Sequence, residues 1–190
     1  MREEILDATQ QLMAQTNDAD AVSVRAVAEA VGVTPPSIYM HFANKEELIV
    51  QVCERIFTML HEAIEEALCD ACDPIEEVQA IGKAYVRFGL DHPEQYRVLF
   101  MAPTPEWAEE HVRQSVQQVS GFTALVDTVQ RCIDAGAFRP GDAFFYACQL
   151  WMGVHGITSL LISKRGFPWP DQEALIDGCI GTLCGGLRPR

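Results

Sequence analysis

The chain of 190 residues is short of positive charge: 14 Lys and Arg stand against 27 Asp and Glu, a formal net charge of −13. That shortage excludes a general polyanion-binding surface, because non-specific affinity for nucleic acid grows with each phosphate a cation neutralises. Catalytic signatures are missing too. No histidine has a glutamate three residues before it, and HExxH, GxSxG and GxxxxGK do not occur, so neither a metal-dependent nor a nucleophile-based enzyme is expected. Strand signals, internal repeats and low-complexity stretches are also lacking. In place of a secretory leader, Met1-Arg2-Glu3-Glu4 begins an amphipathic helix. The seven cysteines are odd in number and scattered among apolar segments, which reads as a reducing cytoplasm and not as a disulfide framework.

What the chain does have is concentrated in Ser23–Phe42, SVRAVAEAVGVTPPSIYMHF. Ser23 can cap a helix on which Val24, Val27, Ala28 and Val31 share one apolar stripe. Gly32 suits the left-handed conformation just past a helix end, and Ala28 is small enough to let a second helix cross closely. Thr34 is placed to cap that second helix, with Pro35 and Pro36 in its first turn, where amides have no intrahelical partner. Ile38 and Phe42, four apart, point inward. Thr34, Pro35, Ser37, Tyr39, Met40 and His41 are left on the outer side, a set able to touch thymine methyls, base edges and phosphates in a major groove.

This stretch, followed by Asn44-Lys45-Glu46-Glu47-Leu48, resembles the DNA-binding domain of the TetR family of bacterial transcriptional regulators. The matching pieces are the Ala28 and Gly32 spacing, Ile38-Tyr39, His41-Phe42, and the Lys45-Glu46 start of the next helix, after a first helix from about Arg2 to Gln15. Trp151-x-Gly153-x-His155-Gly156 is similar to the Trp-His-Gly signature in the C-terminal domain of one branch of that family. The resemblance implies an all-α fold, with a three-helix DNA-binding domain over 1–47 and a ligand-binding and dimerisation domain over 48–190. It implies that Arg25, Thr34, Ser37, Tyr39, His41 and Lys45 approach DNA, and that repression is the default outcome. Pro35-Pro36 departs from the basic or polar residue and small residue many relatives carry there, so apolar contact is the expected role for this pair. Up to Val52 the cations are Arg2, Arg25 and Lys45 alone, against Glu3, Glu4, Asp7, Asp18, Asp20, Glu29, Glu46 and Glu47. A chain this acidic depends on a correctly spaced site, on doubling of its cations in a dimer and on helix N-terminal amides.

Caps and breakers give the remaining map. Asn44 with Glu47 forms a capping-box signal for a helix carrying Leu48, Val52, Ile56, Met59 and Leu60 toward Leu68. Asp73-Pro74 starts a helix to about Asp91, and His92-Pro93 interrupts before a short helix through Met101. Glu106 to about Ala135 reads as one long helix ended by Gly136, and Asp171 to about Leu183 as a final helix with Leu175, Ile176, Cys179, Ile180 and Leu183 on one stripe. Residues 144–162 contain no Asp, Glu, Lys or Arg, which meets the lower limit for a membrane span. Gln149, His155, Thr158, Ser159 and two glycines favour instead a helix buried in a dimer interface, so no membrane is expected.

The last two long helices are the natural homodimer surface, a four-helix bundle that fixes two recognition helices over an approximately palindromic operator with half-sites ~34 Å apart or an extended variant. Phe57, His61, Tyr85, Phe88, Tyr96, Phe100, Trp107, Phe122, Trp151, Met152 and His155 supply the groups a cavity for a mainly hydrophobic small molecule would use. Ligand binding is expected to shift the long helix starting at Asn44 and spread the DNA-reading heads. No cofactor is called for and nothing demands a metal. Cys69-x-x-Cys72 keeps open a redox or metal sensor of the same architecture, although no second pair at zinc spacing accompanies it. A helical interaction protein without DNA binding is the other alternative.

Overall fold

The computed structural model describes residues 1–109 and 121–189. Among these the chain is helical and has no strand. The helices are α1 (Arg2–Thr16), α2 (Val24–Val31), α3 (Pro35–Ile38), α4 (Lys45–Leu68), α5 (Pro74–Asp91), α6 (Pro93–Phe100), α7 (Gly121–Asp134), α8 (Ala143–Ser163) and α9 (Gln172–Gly185), with a 3-10 turn at Glu106–Ala108. The expected long helix from Glu106 is therefore met at its start by a 3-10 turn, and its middle lies outside the described residues. Pro105 caps that turn in an extended conformation, φ −62° and ψ 148°. The starts and stops at Pro74, Asp91 and Pro93 fall where the proline and aspartate signals put them.

The chain divides into two compact units, the first of Met1–Met59 with His92–Ser115, the second of Leu60–Asp91 with Val116–Arg190. In the first unit α1 packs on α2 and α6, and α2 on α3. Ile5, Val27, Ile38, Phe42, Leu48, Val52, Ile56 and Tyr96 are each at most 1% exposed, and burying side chains of this size contributes about 1.5–3 kcal/mol apiece. Arg55 ties α4 to α1, its guanidinium donating to Asp7 at 2.7 Å and to Gln10 at 2.8 Å. Segment His92–Phe100 joins this unit although α5, just before it, belongs to the other. Tyr96 and Phe100 pack with tilted rings, centroids 5.2 Å apart, and Phe100 meets Phe57 edge-on at 6.1 Å.

In the second unit α5, α7, α8 and α9 form the core, with α8 touching the other three. Close approach is possible because Gly82 of α5 has no side chain: a Cβ there would stand 3.4 Å from Ile180 of α9 and from Val154 of α8. The starts of α5, α8 and α9 are each fixed by an aspartate. Asp73 accepts from the Ile75 and Glu76 amides, Asp142 from Phe145 and Asp171 from Ala174, which satisfies amides that lack an intrahelical partner. By length and composition α8 is, among the described residues, long and apolar enough to cross a membrane. Its Ala143, Tyr146, Ala147, Leu150, Val154, Thr158, Leu161 and Ile162 are instead buried in the protein.

Candidate nucleic-acid interface and ligand site

The DNA-reading candidates stand on a short, well-stopped scaffold. Ser23 Oγ accepts from the Ala26 amide at 3.1 Å, starting α2. At the other end Gly32 has φ 76°, its amide donating to Glu29 O and the Val33 amide to Ala28 O at 2.9 Å. This crossed pair of bonds is the glycine-dependent helix stop, and it turns the chain directly into α3. Thr34 occupies the cap position of α3, but its hydroxyl pairs with the Ser37 hydroxyl at 3.1 Å and caps no amide. The reason is chemical: Pro36 has no N–H to offer, and the Ser37 amide already donates to Thr34 O at 2.9 Å.

α3 itself is a single turn, and Tyr39, Met40 and His41 continue it as a turn anchored on both sides by buried Ile38 and Phe42. Tyr39 is 53% and Met40 84% exposed. Arg25, Thr34, Pro35 and His41 are exposed as well, and Ser37 and Lys45 are half-buried. Apolar groups this open on an isolated chain have nothing to gain from water, so the patch is suited to a partner surface. Lys45 begins α4, where Asn44 Oδ1 accepts from the Glu47 amide at 2.7 Å and the Glu47 carboxylate accepts from the Ala43 amide. The Lys45 ammonium donates to the main-chain oxygen of Asp20 at 2.7 Å. Asp20 was not among the expected site residues; an isolated aspartate in a turn gives no sequence signal of such a role.

The ligand candidates separate. Phe57, Phe100 and Trp107 belong to the first unit, together with Tyr96. Trp107 Nε1 donates to Asp20 Oδ1 at 3.1 Å. His61, Tyr85, Phe88, Phe122, Trp151, Met152 and His155 belong to the second unit. Within it a row of rings runs from Phe144 to Phe122 at 5.7 Å, on to Trp151 at 5.8 Å, then to His155 at 6.0 Å. His155 Nδ1 meets the Tyr85 hydroxyl at 3.1 Å. Burial pushes the His155 pKa below its ordinary value of 6.5, favouring the neutral ring. Phe88 is buried, and Met152 on α8 is 68% exposed. Among the described residues, the one buried side-chain nitrogen or oxygen without a hydrogen-bond partner is His61 Nδ1.

α8 and α9 also enclose a groove of about 500 Å³ lined by Gly153, Ile157, Ala174, Leu175, Gly178, Cys179, Thr182 and Leu183. Small residues four apart on α9, Ala174, Gly178 and Thr182, keep it open. Cys69 and Cys72 are exposed free thiols at the α4 end and the following turn. No group of three His, Cys, Asp or Glu side chains is gathered to hold a metal ion among the described residues.

Comparison with known proteins agrees with this architecture. Residues 5–52 match the family model described as "Bacterial regulatory proteins, tetR family", and residues 78–183 match "Tetracyclin repressor-like, C-terminal domain". The HTH-type transcriptional activator FasR of Mycolicibacterium smegmatis is 31% identical over 168 residues, 88% of this chain and 74% of FasR. The nucleoid occlusion factor SlmA of Vibrio campbellii is 25% identical over 143 residues, 75% of this chain and 71% of SlmA. A solved structure of a protein of unknown function from Rhodococcus sp. RHA1 superposes with a TM-score of 0.81 at 25% identity, covering 99% of this chain and 95% of that one. With a family model matched over more than half its length, a helix-turn-helix head and an all-helical second unit, the chain belongs to the TetR family and is a DNA-binding transcriptional regulator.

Proposed function

We propose that the protein is a homodimeric repressor that holds an approximately palindromic operator and is released by a mainly hydrophobic small molecule. TetR-family regulators bind operator DNA and small-molecule ligands and act as dimers; the sign, the symmetry and the ligand class are the proposal. The observation that carries it is the exposed Tyr39-Met40-His41 turn, held between buried Ile38 and Phe42 behind a glycine stop. Met40 and Pro35 would meet thymine methyls, Tyr39, Thr34, Ser37 and His41 phosphates or base edges, and Arg25 and Lys45 phosphates. In functional terms residues 1–47 read DNA and 48–190 bind ligand and dimerise, a division that differs from the two compact units because residues 48–59 of α4 and the segment that contains α6 belong to the first unit.

The exposed faces of α8 and α9, with Met152 and the small-residue groove, would pair with the same faces of a second copy. The ring row Phe122, Trp151, His155 and Tyr85, with Phe88 and His61, supplies an aromatic site with few polar groups for the ligand. Phe57, Phe100 and Trp107 are assigned to the head unit's packing in this reading. A cytoplasmic protein fits this activity. FasR is by its name an activator, so the direction of control is tested separately from binding.

The decisive experiment is selection of duplexes from a random-sequence library by the wild-type protein, followed by a gel shift with Tyr39→Ala. Recovery of a two-fold symmetric site, lost in the variant, supports the reading. Enrichment of no sequence by an intact dimer overturns it. Transcription from a promoter carrying the recovered site, with and without the regulator, then separates repression from activation.

A further inference from the structure

Asp20 lies exposed in the turn between α1 and α2, yet its amide, its carbonyl and one carboxylate oxygen are all engaged. Its amide donates to Asp18 Oδ1 at 2.8 Å, its carbonyl accepts from Lys45 Nζ at 2.7 Å, and its Oδ1 accepts from Trp107 Nε1 at 3.1 Å. The last two partners are 25 and 87 residues away in sequence, and all four residues belong to the first compact unit. A turn is thus clamped by the start of α4 on one side and by the 3-10 turn beyond α6 on the other. We propose that Asp20 and Trp107 are positioning residues for DNA binding: together they hold the Lys45 ammonium where an operator phosphate can meet it. This rests on the phosphate-binding role proposed for Lys45.

The chemistry of each contact fits that task better than a general stabilising one. A lysine side chain is flexible, and fixing it at the moment of binding costs conformational entropy. Lys45 is fixed beforehand, by a neutral carbonyl and not by a carboxylate. The carbonyl takes one of its three N–H donors and leaves the full positive charge and two donors for a phosphate. A carboxylate in that place would cancel the charge that the cation-poor head needs. Trp107 holds the Asp20 side chain with a neutral donor, so the carboxylate is oriented without a second cation being spent on it. The Asp18–Asp20 turn bond keeps the carbonyl pointing at Nζ.

The test uses the full-length protein and the duplex that wild type selects from a random library. Trp107→Phe keeps the ring and removes the donor; Asp20→Ala removes the same bond from the other side. Each is expected to weaken binding by about three- to tenfold, the size of one hydrogen bond, with a melting temperature lowered by no more than about 4 °C. The double variant should be no weaker than either single one. The salt dependence of binding should become shallower by about one counterion, as in Lys45→Ala, in both single variants. Asp20→Asn, which retains an oxygen acceptor and drops a negative charge, should bind at least as tightly as wild type. Wild-type affinity and salt slope in Trp107→Phe, or additive losses in the double variant, would overturn the proposal while leaving the DNA-binding reading intact. Selection of no duplex by wild type removes that reading itself and this inference with it.

Discussion

Tyr85 of α5 and His155 of α8, 70 residues apart, are joined by a 3.1 Å hydrogen bond between the phenol oxygen and the imidazole Nδ1. Burial lowers the His155 pKa from 6.5. The unfolded chain therefore binds a proton at this histidine more readily than the folded one, and the neutral ring's contribution to stability is complete above about pH 6.5 and lost as pH falls below it. Urea denaturation between about pH 7.5 and pH 5.5 should show a smaller acid-induced loss in His155→Gln than in wild type. Parallel profiles for the two proteins would refute this assignment.

Gly32 holds φ 76° at the stop of α2, and no neighbouring atom lies within 4 Å of a Cβ built there. Strain, not crowding, is then the cost of a side chain. Gly32→Ala should lose about 1–2 kcal/mol by denaturant titration, and Gly32→Asn should lose less, because asparagine tolerates the left-handed region better.

Neighbouring residues of the α3 turn should part company on mutation. Ile38 is 1% exposed, so Ile38→Ala should destabilise by about 2–5 kcal/mol. Met40→Ala should change stability by no more than about 0.5 kcal/mol and still weaken binding to the selected duplex. Melting curves and gel shifts on the same preparations check both, and a stable Met40→Ala with full affinity would remove Met40 from the interface.

Thiol reactivity should divide along burial. The Cys53, Cys132 and Cys184 pKa values are each raised to about 11, chiefly by burial, so these thiols carry almost no thiolate at neutral pH. Cys69 and Cys72 are exposed. Brief iodoacetamide treatment and mass spectrometry should find label at Cys69 and Cys72 first, and at buried Cys132 and Cys184 only after unfolding. If the redox alternative held, mild oxidation would abolish duplex binding in wild type and not in Cys69→Ser; unchanged wild-type binding discards it.

Met152→Glu places a charge on the open face of α8 without entering the core. It should leave helix content unchanged and shift the protein from dimer to monomer in sedimentation velocity, since an unpaired charge at a pairing apolar face is costly. A variant that remains a dimer would locate the pairing surface elsewhere.

Much of the helical map was legible because its punctuation is local. Ser23, Asp73 and Asp171 act on amides two or three residues away, and Gly32 and Gly136 act through their own φ, so one sequence window contains both cause and effect. The inward placement of Ile38 and Phe42 followed from helical spacing in the same way. Thr34 shows where local reasoning stops: its residue type suits a cap, but Pro36 removes the amide it would have served. An aromatic residue on an apolar face is the sequence mark of a ligand site, and that mark cannot tell Trp107, bonded to the α1–α2 turn, from Trp151, which lies in the ring row of the second unit. Asp20 was out of reach because its partners Lys45 and Trp107 are brought to it only by the folded chain.

The head unit is drawn from two separate stretches, Met1–Met59 and the segment that opens at His92. This bears on how such regulators can diversify. Exchanging the first sixty or so residues between two paralogues transplants the surface that faces DNA but leaves behind α6, on which α1 packs, and Trp107. A chimera cut at one point therefore inherits a mismatched seam, whereas one that carries both stretches keeps the seam whole. New operator preferences in this lineage should arise by point changes in the α3 turn more readily than by wholesale recombination of N-terminal modules.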